Sequence, residues 1–163
     1  MRRYREGFSM IEIMVAIAIV AILATLAIPS FQGSVVRDQI VSAMPLADIA
    51  KKPVALSWAV HQTLPADNAA AGLPAPGKIV NNYISAVAVE DGAIQITFGN
   101  NVNSGIAGKI LTLRPAVVDD TPVVPVAWVC GHAAVPGNMT AKGENRTTIP
   151  SGYLPVNCRG SAQ

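Results

Sequence analysis

From Ile13 to Val36 the chain runs IMVAIAIVAILATLAIPSFQGSVV without one charged residue. Wound into a helix, such a run reaches roughly 36 Å, against roughly 30 Å for the hydrocarbon core of a bilayer. A single membrane crossing is the reading this length imposes. Arg2, Arg3 and Arg5 stand just ahead of the run. The bias of basic residues toward the cytoplasmic side then places the N-terminus in the cytoplasm and everything after Arg37 on the far side.

The remainder of a 163-residue chain has room for one further domain of ordinary size. Charged residues amount to 13%, about half the usual share of roughly 25%. The formal charge of +2 comes entirely from Arg2, Arg3, Arg5 and Glu6, and the chain beyond Gly7 is formally neutral. Charge therefore gives no reason to expect an intrinsic nucleic-acid site, and 5% aromatic residues would supply few stacking platforms for single strands.

Glu12 sits just inside the apolar region that opens at Phe8. A carboxylate near the middle of a bilayer costs on the order of 2.5–3.5 kcal/mol on insertion scales, so it asks for a cation. Cleavage between Gly7 and Phe8 would create an α-ammonium four residues upstream. That ammonium and Glu12 of an adjacent subunit would neutralise each other and fix the stagger of packed helices. Two other readings compete. Glu12 also suits the positive N-terminal end of a helix at headgroup level. A plain export signal cut after Ala27 would explain the basic start and apolar run, though it has no use for the carboxylate.

The run Gly7-Phe8-Ser9-Met10-Ile11-Glu12-Ile13-Met14-Val15 closely resembles the processing site of type IV pilin precursors. Ser9 stands where Thr is often found. The resemblance implies a dedicated peptidase that cuts after Gly7 and methylates the new N-terminal Phe8, leaving its positive charge in place. Pro29, Pro45 and Pro53 fall where the long helix of such proteins kinks or pauses. Phe31, Val35, Val36, Ile40, Met44 and Ala47 continue an apolar stripe at helical spacing beyond the crossing. Half of one long helix is thus expected to lie against a globular head.

After about Pro65 the composition becomes rich in Gly, Pro and Ala, as a loop would be. Ile84 to Phe98 alternates on both sides of Asp91-Gly92, a dipeptide suited to a two-residue hairpin turn. A break at Asn100 to Gly105 precedes two further runs, Lys109 to Arg114 and Val123 to Val129. The expected fold class is α+β, a long N-terminal helix packed on a short antiparallel sheet. Cys130 and Cys158 are the only cysteines, and an exported head meets an oxidising space. A disulfide is expected, two free buried thiols being the alternative.

Trp128-Val129-Cys130 and Tyr153-Leu154-Pro155-Val156-Asn157-Cys158-Arg159 resemble the two edges of the disulfide-bounded loop of type IVa pilins. The resemblance implies a leader at 1–7, a transmembrane and assembly helix at 8–36, and a head at 37–163. The head would carry the second half of the helix, the sheet and the 130–158 loop. Implied too are a homopolymer of like subunits, a prepilin peptidase, an inner-membrane assembly machinery, and lipid around the helix before assembly. The precursor would sit in the inner membrane and the assembled fibre outside the cell, serving adhesion, twitching motility or DNA uptake. A minor pilin or a type II secretion pseudopilin is the alternative, although major pseudopilins generally lack the cysteine-bounded ending. An anchored extracytoplasmic enzyme or binding module is a third possibility.

No catalytic set, metal or cofactor is expected. His61 and His132 lie far apart without a supporting cluster of ligands. The Cys130-Gly131-His132 run is not read as a thiol nucleophile with its base. Asp119-Asp120 reads as a solvated polar turn, with a calcium ligand pair as the alternative, and Lys51-Lys52 as a solvated face; Asn138-Met139-Thr140 and Asn145-Arg146-Thr147 match the N-glycosylation acceptor pattern but read as polar loop. Trp58 and Trp128 read as core.

Overall fold

A computed structural model describes residues 7–160, with the side chains of 26–32 outside the description. The chain divides into two compact units, Met1–Val35 and Val36–Gln163. Helix α1 runs over Met10–Ala43. A short 3-10 turn, Met44–Ala47, follows, and helix α2 occupies Asp48–His61. The turn coincides with Pro45, which has no N–H to give to the preceding turn of helix. Pro53 stands inside α2 without ending it. Gln62 closes α2 with φ 55, its N–H returning to Trp58 O at 3.0 Å.

Five strands form one sheet: β1 Ile84–Glu90, β2 Ala93–Phe98, β3 Ile110–Val117, β4 Ala127–Cys130 and β5 Thr140–Ala141. The order is β1-β2-β3-β4, all neighbours antiparallel, with β5 also pairing β3. Asp91 and Gly92 join β1 to β2 with φ 47 and φ 81, both in the left-handed region that the expected tight turn demands. A Cβ at Gly92 would stand 2.8 Å from Leu64 Cβ, so the turn needs glycine for space as well as for angle.

The core lies between the helical segment from Val36 onward and one face of the sheet. Val36, Ile40, Ala43, Ala47, Ala50 and Val54 meet Val87, Val89, Ile94, Ile96, Phe98, Leu111 and Leu113 there. Ile94, Ile96 and Phe98 alternate along β2 as one buried face requires. The stripe differs from the expected one. Val35 is exposed and Met44 is half-buried, while Ala43 and Ala50 are fully buried. Small side chains let helix and sheet approach closely, so alanine outranks larger neighbours at the contact. Phe31, also expected on the stripe, lies outside the described side chains.

Two strand expectations need correction. The fourth run does not begin at Val123: β4 starts at Ala127. Pro122 and Pro125 interrupt the ladder, and Val124 N donates to Thr121 O at 3.2 Å in a turn instead. The third run extends past Arg114 to Val117, through Pro115.

Candidate assembly surface

The residues expected to carry processing and assembly stand at the start of α1. Ser9 O accepts from Glu12 N at 3.1 Å and from Ile13 N at 3.2 Å, which opens the helix and places Glu12 in its first turn. A carboxylate there complements the free N–H groups of the helix end. Gly7 has open space around it and Phe8 is 78% exposed. From Met10 to Leu23 the larger apolar side chains are all exposed, Met10 at 85%. A helix apolar on every side is stable in water only when lipid or other helices cover it. No helix among the described residues is long and apolar enough to cross a membrane. The expected crossing at 13–36 includes 26–32, whose side chains lie outside the description.

In the head, Cys130 and Cys158 are joined in a disulfide and both are buried. The segment they enclose returns across the outer face of the sheet. There Thr112 Oγ1 donates to Gln95 Oε1 at 2.6 Å and accepts from Arg146 N at 2.9 Å. Thr147 Oγ1 accepts from Thr112 N, and Gln95 Nε2 donates to Glu144 O. Asn145 Nδ2 donates to Gly131 O at 2.8 Å. The Asn145 triplet is therefore part of a strap rather than a free polar loop. Gln95 and Thr112 are buried polar residues, and these bonds satisfy them.

Ion pairs hold the ends of the strap. Arg146 meets Glu144 at 2.9 Å and Glu90 at 2.6 Å. Its guanidinium is held above its ordinary range by the hydrogen bond to Glu144 and then by the charge of Glu90. Lys142 lies 2.7 Å from Asp119, which also accepts from Thr140 Oγ1 at 3.0 Å. The two hydrogen bonds, that of Lys142 first, hold the Asp119 carboxyl below the usual aspartate range. Those partners occupy the Asp119 carboxylate. His61 and His132 are exposed, Trp58 is buried, and Trp128 is half-buried against the core.

One arrangement escapes the sequence. Arg37 Nη2 and Arg159 Nη2 both donate to Gly152 O, at 3.1 and 3.3 Å. Nothing periodic links positions so far apart; the only sequence cue is that Arg37 is the first charge after the long apolar run.

Residues 36–159 match the pilin family, a bacterial filament protein. A type IV major pilin protein, PilE1, of Neisseria gonorrhoeae is 34% identical over 168 residues, spanning 99% of this chain and 91% of that one. The chain belongs to the type IV pilin family. Residues 2–28 of this pilin match the prokaryotic N-terminal methylation motif. The fimbrial protein EcpC of Eikenella corrodens is 34% identical over 165 residues, covering 99% of this pilin and 95% of the relative. The type IV major fimbrial protein FimA of Dichelobacter nodosus is 30% identical over 131 residues, or 69% and 83% of the two chains. Pilins of this family are structural subunits rather than enzymes, made as membrane-anchored precursors and ending in an extracellular fibre.

Proposed function

We propose that this pilin is cut between Gly7 and Phe8 by a prepilin peptidase, methylated at the Phe8 amine and polymerised through its apolar N-terminal helix. Before assembly the 13–36 segment holds the subunit in the inner membrane in a single pass, with the leader in the cytoplasm. On assembly the helix leaves lipid for a bundle of its copies. The exposure of every large apolar side chain from Phe8 to Leu23 carries this reading, because the isolated chain leaves them uncovered. Glu12 of one subunit pairs with the Phe8 ammonium of its neighbour, which disfavours wrong registers through an unpaired charge. The fibre is assembled by inner-membrane machinery, extended and retracted by separate cytoplasmic ATPases, and serves adhesion, twitching motility or DNA uptake. The names of the gonococcal and Dichelobacter relatives favour a major subunit over a minor one.

Co-production with a prepilin peptidase tests the processing step. The wild-type chain is expected to lose residues 1–7, and Gly7→Val, whose branched side chain crowds the scissile bond, to stay full length. Equal processing of both would refute the assigned site. In the same cells Glu12→Ala should leave processing intact and reduce fibre yield at least tenfold.

A further inference from the structure

Two guanidinium groups share one neutral acceptor in the head. Besides the two bonds to Gly152 O, Arg159 Nε donates to Leu154 O at 2.7 Å. Each guanidinium carries five N–H donors, so most of the donors of this pair stay available. Among the described residues neither arginine forms an ion pair, whereas Lys51, Lys142 and Arg146 each meet a carboxylate. Arg37 Nε is out of solvent contact and has no hydrogen-bond partner there. Like charges held this close repel unless an anion lies between them. The planar forks of two arginines match the oxygens of a phosphate.

Chain position says which phosphate. Arg37 is the first charged residue after the uncharged 13–36 run. In a helix that crosses a bilayer, that position falls at the headgroups on the exit side. The loop bearing the second arginine has the chemistry of the same level. Val156 is 79% exposed, Tyr153 is half-buried, and Arg159 follows them. Aromatic rings and long basic side chains gather at the boundary between hydrocarbon and water.

We propose that Arg37 and Arg159 clamp the phosphate of one phospholipid headgroup while the subunit is stored in the membrane. The proposal rests on the crossing at 13–36. The clamp joins the root of the head to its C-terminal loop, which the disulfide at Cys158 fixes one residue from Arg159. Leaving the membrane for the fibre then requires release of that lipid, a step local to two residues.

Native mass spectrometry of the full-length protein in detergent tests the clamp, with phosphatidylglycerol, the matching diacylglycerol and inorganic phosphate as probes. Wild type is expected to retain one phosphatidylglycerol, no diacylglycerol, and at least tenfold more lipid than Arg37→Gln/Arg159→Gln. Arg37→Lys/Arg159→Lys should keep part of the retention. Resistance of Cys130 and Cys158 to alkylation reports that each variant has folded. Equal retention by wild type and the glutamine variant overturns the proposal. Capture of inorganic phosphate without preference for the lipid overturns the lipid source. A lipid-free dimer lost in the glutamine variant would assign the pair to a second copy instead. Flotation with vesicles separates the membrane crossing from the clamp. If wild type fails to float, the crossing fails and the lipid source with it; if both proteins float and retain lipid equally, the clamp alone fails.

Discussion

Asn68 completes the outer edge of β1 at Val89: Asn68 Oδ1 accepts from Val89 N at 2.6 Å, while its Nδ2 donates to Val87 O at 3.0 Å. One carboxamide thus takes the place of a neighbouring strand, and a further bond to Pro74 O at 2.8 Å ties it to the loop that carries it. Asn68 is only 5% exposed, so these groups have little water to fall back on. Unprotected sheet edges invite pairing with other chains. Asn68→Ala leaves the N–H of Val89 and the carbonyl of Val87 without partners. At about 1–3 kcal/mol per unsatisfied buried group, the loss should amount to about 2–4 kcal/mol in denaturant unfolding. Asn68→Asp keeps the acceptor and loses both donors, and should fall near the alanine variant. A loss below about 0.5 kcal/mol, within the range of ordinary surface substitutions, would show that the edge does not depend on this side chain.

The Cys130–Cys158 bond closes a loop with a sequence separation of 28. Chain-entropy arguments assign such a closure about 3–4 kcal/mol. Cys130→Ser/Cys158→Ser should lower stability by about that amount in equilibrium unfolding. Because the enclosed strap is also held by Thr112 and Gln95, faster amide exchange at Arg146 is expected to accompany the loss. An unchanged unfolding midpoint would mean that the strap alone positions the loop.

Protonation of Asp119 gives a pH dependence with a defined sign. Its carboxyl is held low in the folded chain by Lys142 and Thr140, so the charged form is favoured by folding. The stabilisation is therefore present above the unfolded aspartate range, and it is lost as pH falls through the folded value. Because the group is exposed, salt should weaken the effect. A carbon-detected titration should find Asp119 protonating below the usual aspartate range, and Lys142→Gln should move that midpoint upward. A midpoint at or above the usual range in the wild-type protein would contradict the pairing.

The features legible in the sequence were those with a local cause. Asp91-Gly92 adopts positive φ at both positions with alternation on either side, so the first hairpin declares itself. The two cysteines do the same, joined in the expected disulfide. What escaped depends on distant partners or on small residues. Ala43 and Ala50 are fully buried where the helix meets the sheet, yet alanine is a weak signal of burial in a pattern. The strap over the sheet rests on side chains bonding to backbone, as Gln95 does to Glu144, and such bonds have no period. Asn68 and Val89 are likewise joined across a loop whose composition says only that it turns. β5 has two residues and no alternation to find. The start of the fourth strand is hidden because Val123, Val124 and Val126 suggest a strand while Pro122 and Pro125 forbid one.

Intact mass with N-terminal sequencing of protein sheared from the producing cell decides whether the chain is a processed fibre subunit. The expected product begins at N-methylated Phe8 and is lighter by two hydrogens for the Cys130–Cys158 bond. A chain beginning near Ile28, or one that still carries Met1 and stays in the membrane fraction, would contradict it.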